Sequence, residues 1–298
     1  MKQLLMVALI TLPLGCASTS SVKTPQTAAA LKKMPVCKIG QARRCDELCD
    51  EGSADSCANL GRMHLGGIKV KRDPVRARAL LERACKAKSG LGCHDLAALY
   101  LYGAGVKKAP KKALSLLEKS CTLKMGPACT RLGELHQTGK LVKRNIKRAV
   151  KLYVQGCRYG SGDGCAQLGM LSTMVKKPDY KRAGKLFARG CELGSSSACT
   201  NLGVMYARGV GVKKEAKRAH ALYVVACKQG SGRGCNNLAG MYLRGKVVKK
   251  DIKLALKLTY RACTLRDEQA CATLKAVSDA AKKPKKKSKR RRRRRRRS

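Results

Sequence analysis

Sixteen of the 17 cysteines in this chain form eight C-x7-C pairs, and no other feature of the sequence is better suited to chemistry. Cysteine can ligate a metal, act as a nucleophile or form a disulfide. Zinc sites usually combine cysteines two to four residues apart with histidine, whereas the four histidines here are scattered. We therefore predict no metal and no cofactor. The pairs are Cys37 with Cys45, Cys49 with Cys57, Cys85 with Cys93, Cys121 with Cys129, Cys157 with Cys165, Cys191 with Cys199, Cys227 with Cys235, and Cys263 with Cys271.

The residues between the paired cysteines favour disulfides. Cysteines eight residues apart in one continuous helix would be separated by about 12 Å, which is beyond disulfide reach. Gly160, Gly194 and Gly230 lie inside such pairs, where the end of a helix commonly requires a left-handed residue. If one helix ends there and the chain reverses, the two cysteines can meet. We predict eight disulfides and an oxidising compartment; reduced core thiols in a cytosolic protein are the alternative.

The cysteine pairs also define a repeat, because from Cys49 onward they begin 36 residues apart, with one step of 34. After the second cysteine of a pair, apolar residues at +3, +6 and +7 form one face of a helix. Before the next pair, positions −8, −5, −4 and −1 form a second stripe, and a basic loop separates the two. Each unit is therefore an αα-hairpin that must stack on its neighbours. The predicted fold class is all-α, a superhelix of αα-hairpin repeats with inter-helix disulfides.

Small residues recur inside the first helix of each unit. The fourth residue after the second cysteine is glycine or alanine in all six units, as in Gly61, Gly133, Gly169 and Gly203. Glycine inside a helix costs about 1 kcal/mol relative to alanine, so its repeated use predicts that another helix passes close by. The unit at 165–191 is two residues shorter than the others, which predicts an irregularity in its loop.

The two ends of the chain differ from the repeats. Residues 1–16 have the charged and apolar regions of an export signal, and Gly15-Cys16 resembles the end of a bacterial lipobox. Pro13 and Leu14 depart from the usual lipobox residues, so a cleaved, secreted form is the alternative to lipidation of Cys16. Residues 17–36 are predicted to be a disordered tether, 37–281 the repeat solenoid and 282–298 a disordered Lys/Arg-rich tail.

Basic residues greatly outnumber acidic ones, with 66 Lys and Arg against 18 Asp and Glu and a formal net charge of +48. Such a charge predicts acidic partners: anionic lipid, anionic glycan or nucleic acid. The tail at 282–298 carries 14 of these basic residues and is expected to contact a membrane surface or an anionic glycan. Export argues against nucleic acid as a physiological partner.

The segment CTNLGVMYARGVGVKKEAKRAHALYVVACKQGSGRGC at 199–235 resembles the Sel-one-like repeat, a relative of the tetratricopeptide repeat. The C-x7-C pairs narrow the resemblance to the disulfide-bearing Helicobacter cysteine-rich protein family, and it covers residues 37 to 280. The resemblance implies a right-handed αα-superhelix with a concave groove. It also implies two functions, since some members are adaptors and others are penicillin-binding proteins with weak β-lactamase activity.

A polar position recurs along the groove that this resemblance implies. In related repeats the first helix of each hairpin lines the concave face, and the second residue after the cysteine lies off the apolar stripe. These residues would form a polar ladder suited to an extended peptide or glycan, and a merely solvated surface is the alternative. They are Asn59, Asp95, Arg131, Gln167, Asn201 and Asn237.

A catalytic constellation is not evident from the sequence. The serine β-lactamase set comprises S-x-x-K, S-D-N and K-T-G. Ser20 and Lys23 fit the first pattern, but they lie in the predicted tether, and Lys88-Ser89-Gly90 fits only a relaxed form of the third. Because S-D-N is missing, we assign no catalytic residue and favour a non-enzyme; a β-lactamase-type hydrolase is the alternative.

Together these features predict an exported, lipid-anchored repeat scaffold in the outer membrane or periplasm of a Gram-negative bacterium. The expected state is a monomer. Its expected partner is an unknown protein, or peptidoglycan or another anionic envelope polymer. The lipid anchor and the basic tail would hold it at the membrane.

Overall fold

The computed structural model describes residues 35–282, and its helices belong to one unit that begins at Val36. The predicted export signal, Cys16, the Ser20/Lys23 pair and the tail beyond residue 282 lie outside the described residues. Within the described range the chain forms fourteen α-helices and no strand, which confirms the predicted all-α class.

The helices alternate between two kinds, which we call second helices and first helices after their place in a hairpin. The second helices are α1 Ala42–Asp50, α3 Pro74–Lys86, α5 Pro110–Thr122, α7 Ile146–Arg158, α9 Tyr180–Glu192, α11 Ala216–Lys228 and α13 Ile252–Thr264. The first helices are α2 Ala54–Gly66, α4 Gly90–Tyr102, α6 Gly126–Thr138, α8 Gly162–Thr173, α10 Ser196–Arg208, α12 Gly232–Arg244 and α14 Glu268–Lys282. Six hairpins result, flanked by α1 and α14 as unpaired end helices.

Each hairpin is held together by the apolar stripes that the sequence predicts, but one position of the stripe is less buried than the others. In α7, for example, Ala149 and Tyr153 at positions −8 and −4 are fully buried, whereas Leu152 at −5 is only half-buried. The same pattern holds in the other second helices that follow a first helix. The −8 alanine is therefore the point of closest approach, because it leaves no room for a larger side chain between the helices.

The glycines inside the first helices face large side chains of the second helices. A Cβ added to Gly133 would lie 2.6 Å from Cε1 of Tyr153, and one added to Gly169 would lie 2.6 Å from Cε1 of Phe187. Burial raises the pKa of Tyr153, and its hydroxyl donates to Oε1 of Gln137 at 2.5 Å. The close approach predicted from the repeated glycines is thus made by the rings of Tyr153, Phe187 and Tyr223, and by Leu81 at Gly61.

Each hairpin is linked to the next by a connector of three residues between the last turn of a second helix and the first turn of the next first helix. The first helix begins three residues before the second cysteine of the pair, earlier than the repeat pattern suggests. The middle residue of the connector is left-handed: φ is +83° at Gly160, +85° at Gly194 and +89° at Gly230. Lys88, Lys124 and Arg266 occupy the same position with φ of +62° to +64°.

All eight cysteine pairs are joined by disulfides, with Cα atoms 4.5 to 5.1 Å apart. Seven bridges fasten the end of a second helix to the start of the next first helix, so the predicted inter-helix disulfides are confirmed. These seven bridges join Cys49 to Cys57, Cys85 to Cys93, Cys121 to Cys129, Cys157 to Cys165, Cys191 to Cys199, Cys227 to Cys235, and Cys263 to Cys271.

The bridge between Cys37 and Cys45 differs from the other seven. Cys37 precedes α1, and Cys45 lies within that same helix. This disulfide therefore ties the segment before α1 to α1 itself. It does not join two helices, unlike the inter-helix disulfides of the predicted fold class.

The shorter unit at 165–191 is irregular in its loop, as its length predicts. The helix α8 ends at Thr173, and Met174 follows with φ of −102°. Most first helices instead end at a left-handed glycine, such as Gly139 with φ of +75° or Gly209 with φ of +77°. The missing residues are therefore those that would have formed the left-handed turn.

Candidate functional site

The face formed by the first helices is the candidate binding surface. Five of the six pairs of consecutive first helices contact one another, the pair α4 and α6 being the exception, whereas no pair of consecutive second helices does so to the same extent among the described residues. Because the first helices are closer together, the array curves toward them, and this face is the concave one. The six side chains predicted to line a groove lie on the first helices α2 to α12, one on each helix, and all are half-buried.

Three of these predicted groove residues link neighbouring repeats. Asp95 accepts a salt bridge from Nε of Arg62 in the preceding repeat at 3.5 Å. Nη2 of Arg131 donates to the Tyr102 hydroxyl of the preceding repeat at 3.2 Å. The polar ladder is therefore partly used to join repeats.

Asn201, the third of these residues, accepts a hydrogen bond from Arg233 of the following repeat. The other three groove residues behave differently. Nδ2 of Asn59 donates to the Cys37 carbonyl at 2.8 Å, which fixes the segment before α1. Among residues 35–282, the side-chain amides of Gln167 and Asn237 make no hydrogen bond to another residue. These two amides are available to a ligand on the concave face.

Open cavities lie between neighbouring first helices. One of about 350 Å³ is lined by Arg131 and Glu134 of α6, Asp163 of α8, and Ser195 at the start of α10. A second, of about 380 Å³ between α12 and α14, includes Asn237. A third, of about 400 Å³ between α2 and α4, includes Asp95 and the apolar Leu99. Together they mark a discontinuous groove along the concave face.

The first cavity has both signs of charge within reach of one ligand. Nη1 of Arg131 lies 2.9 Å from Oε2 of Glu134, so the cation and the carboxylate neutralise one another. The Ser195 hydroxyl donates to Oδ1 of Asp163 at 2.6 Å. Such a lining suits a polar peptide segment, whose amides and carbonyls can bond to both kinds of group.

Lys88 and Ser89, which match a relaxed β-lactamase pattern, have structural roles. Lys88 is the left-handed middle residue of a connector. Ser89 caps α4: its hydroxyl accepts from the Gly92 N–H at 2.9 Å and donates to Oδ1 of Asp55 at 2.5 Å. Within the described range, no group of three or more His, Cys, Asp or Glu residues is arranged to hold a metal ion.

A polar network between repeats was not predicted from the sequence. Ser161 and Ser231 cap first helices and bond to Thr130 and Thr200 of the preceding repeats at 2.8 and 2.9 Å. A signal was present, because serine stands four residues before the second cysteine in most connectors. By contrast, the arginines that bond to the groove residues Asp95 and Asn201 occupy unrelated positions in their repeats and give no periodic signal.

With this geometry in place, the six hairpins can be compared with known proteins. The sequence model for the Sel1 repeat matches six consecutive segments: 54–89, 90–125, 126–161, 162–195, 196–231 and 232–267. The chain belongs to the Sel1 repeat family. Each matched segment contains one hairpin and the connector after it, which agrees with the helix boundaries. The predicted resemblance to Sel-one-like repeats is confirmed.

Solved structures show the same fold. A Sel1 repeat protein from Oxalobacter formigenes is 24% identical, covers 75% of this chain and 99% of its own, and has a TM-score of 0.65. A protective antigen from uropathogenic Escherichia coli with an SLR fold is 24% identical over 79% of this chain and 51% of its own, with a TM-score of 0.57.

Helicobacter pylori cysteine rich protein B is 34% identical over 46% of this chain and 99% of its own, with a TM-score of 0.37. No curated protein matches the chain at a significant level.

Proposed function

We propose that this Sel1 repeat protein is an exported scaffold whose concave first-helix face binds an extended segment of a partner protein. The observation that carries the proposal is the row of half-buried polar side chains along that face, with cavities between the helices and the uncommitted amides of Gln167 and Asn237. An extended peptide presents one amide and one carbonyl per residue, which side-chain amides can match.

Export is supported by the eight disulfides, because such bonds persist mainly in oxidising compartments. Among residues 35–282, none of the helices has the length and apolar character needed to cross a bilayer. We propose that Cys16 carries a lipid anchor in the outer membrane and that the basic tail contacts anionic lipid or glycan. Peptidoglycan or another anionic envelope polymer is a further candidate partner for these basic segments.

The groove is tested by capturing cross-linked envelope proteins on the purified full chain. The variant Gln167→Ala/Asn237→Ala is expected to recover about tenfold less of the captured partner, because it removes both uncommitted amides. The matched control is Gln155→Ala/Gln229→Ala, which removes two exposed amides outside the first helices. Equal recovery with both variants would contradict a partner site on the concave face.

The anchor and the tail have separate tests. Metabolic labelling with a fatty acid should mark the natural chain and not Cys16→Ser; an unlabelled natural chain would indicate the cleaved, secreted form. Truncation after Ala281 should weaken binding to anionic vesicles at low salt, and unchanged binding would contradict a role for the tail. The alternative function, β-lactam hydrolysis, is tested by nitrocefin turnover: clear turnover that Asn201→Ala abolishes would replace the scaffold by an enzyme.

A further inference from the structure

The segments between the two helices of each hairpin lie along one edge of the array, which we call the loop edge. Antiparallel hairpins that stack in the same orientation place these segments together, and they place the disulfide-bearing connectors along the opposite edge. The loop edge consists of residues 67–73, 103–109, 139–145, 174–179, 209–215 and 245–251.

Positive charge on the loop edge is largely uncompensated. The six segments contain fifteen Lys and Arg residues and only four carboxylates. Three of these carboxylates cap second helices: Oδ1 of Asp73, Asp179 and Asp251 accepts backbone N–H groups at 2.8 to 3.0 Å. The fourth, Glu215, pairs with Arg218 at 2.9 Å. In the described part of the chain, every salt bridge uses Arg or His, so the loop lysines have no carboxylate partner.

Exposed apolar side chains accompany these charges in part of the loop edge. Met174 is 74% exposed, Val175 54%, Leu141 52% and Ile68 43%. These side chains belong to the first, third and fourth loops. In the second, fifth and sixth loops the valines are half-buried, although these loops are also basic. The loop edge therefore leaves large apolar groups open to water among its basic residues.

We propose that the loop edge of the first four repeats docks on an anionic lipid bilayer. Basic side chains meet the headgroups, and the apolar side chains at the loop tips enter the boundary with the acyl chains. An anionic glycan or a nucleic acid would be bound by charge alone and would leave these apolar groups in water. A flat bilayer can touch only part of the edge of a superhelix, which fits the occurrence of exposed large apolar residues in the first, third and fourth loops.

This docking is separate from the tail and from most of the proposed partner site, although Ile68 of the loop edge also lines the cavity between α2 and α4. The concave first-helix face stays open when the loop edge faces a membrane, because the groove side chains lie on the helices and not in the loops. The loop edge would therefore fix the orientation of the scaffold, with its connector edge pointing away from the bilayer.

The test is lysine acetylation of the full chain, read by mass spectrometry, with and without vesicles of equal parts phosphatidylglycerol and phosphatidylcholine. Vesicles are expected to slow acetylation of Lys107, Lys143 and Lys177 on the loop edge about fivefold or more. Lys88 and Lys124, in connectors on the opposite edge, should react at the same rate in both samples. Each site is read separately, so binding by the tail does not mask the result.

Two matched variants separate apolar insertion from charge. Leu141→Ser/Met174→Ser/Val175→Ser should lose most of the protection on the loop edge. The control Val154→Ser/Leu193→Ser/Val225→Ser also removes three exposed apolar side chains, 40 to 45% exposed and outside the loop edge, and should keep the protection. Circular dichroism of both variants verifies that the helices are intact.

Several outcomes would overturn the proposal. Equal protection of both edges, or protection of the tail alone, would show that the loop edge does not face the bilayer. If heparin protects the loop lysines and the vesicles do not, the edge binds a polysaccharide. Unchanged protection in the Leu141/Met174/Val175 variant would mean that charge alone acts. The groove variant Gln167→Ala/Asn237→Ala should keep the protection, so this proposal and the partner site can fail independently.

Discussion

The two edges of this Sel1 array are built from the same helices and yet have opposite properties. Each connector has three residues, one of them left-handed, and a disulfide spans it; the seven connectors together carry three basic and two acidic residues. Each loop on the opposite edge has six or seven residues, and the six loops carry fifteen basic and four acidic ones. The short, cross-linked connectors carry little charge, whereas the longer loops can present it to a ligand.

The comparison teaches where stability and recognition are separated in this fold. Removing a group from the connector edge breaks contacts between repeats, and stability in a repeat array depends on those interfaces. Removing an exposed charge from the loop edge changes mainly the surface charge, although Gly105 and Gly211 of the loops pack on Pro74 and Tyr180 of the preceding hairpins.

Removal of one connector disulfide should destabilise the array most. We expect the double variant Cys157→Ala with Cys165→Ala to lower the free energy of unfolding by about 2 to 3 kcal/mol, because the bridge restricts the unfolded chain. Urea denaturation without reductant, together with hydrogen exchange of α7 and α8, measures the loss. A change below about 0.5 kcal/mol would mean that this edge is not the stabilising one.

Helix caps on the two edges allow a matched comparison. Ser195 is 4% exposed, caps α10 and bonds to Asp163 of the preceding repeat, whereas the exposed Asp179 caps only its own helix, α9. We expect Ser195→Ala to cost about 2 kcal/mol, since it removes both the helix cap and the bond from this buried hydroxyl to the exposed Asp163 carboxylate, and Asp179→Ala about 1 kcal/mol. Thermal unfolding of both variants gives the two values, and equal losses would contradict the difference between the edges.

Two opposite substitutions at the left-handed position of the connectors should change the stability of the array by similar amounts. Lys88 adopts φ of +62° without the freedom of glycine, so Lys88→Gly should stabilise the array by about 0.5 to 1 kcal/mol. The reverse change, Gly160→Lys, should destabilise by a similar amount through the backbone alone, because nothing lies within 4 Å of a Cβ at Gly160. Melting temperatures that move in the same direction for both variants would contradict this account.

Neutralisation of loop lysines should have the smallest effect on stability. Lys213→Gln/Lys214→Gln removes two exposed charges that form no ion pair within the described residues, and we expect a change of less than about 0.5 kcal/mol. Thermal unfolding at low and moderate salt measures it. A loss as large as that of Ser195→Ala would show that the loop edge contributes to folding as much as the connectors do.

Much of the fold could be predicted because its signals are local and repeated. The cysteine spacing, the connector glycines and the two apolar stripes each refer to residues within one repeat, and the hairpins, inter-helix disulfides and irregular unit at 165–191 follow from them. The left-handed conformation of Lys124 and Arg266 could not be predicted in this way. The residue type disfavours it, and the closure of the disulfide and the packing of the next helix impose it.

The candidate site was predictable only in outline. The helix period predicted the polar ladder from Asn59 to Asn237, but it did not predict which of these residues already bond to other residues. Arg62, Tyr102 and Arg233 contact the ladder from neighbouring repeats. Such contacts depend on the angle between hairpins, which no local pattern encodes.

The sequence by itself determined the repeat, the cross-links and the basic character of the chain, because composition and spacing are sufficient for these. The tertiary structure decided what lies on each edge and face. It packs the ring of Tyr153 against Gly133, leaves the amides of Gln167 and Asn237 uncommitted, and gathers basic loops that are 36 residues apart in most of the chain onto one edge. The physical reason is that residues a repeat apart become neighbours only after the hairpins stack.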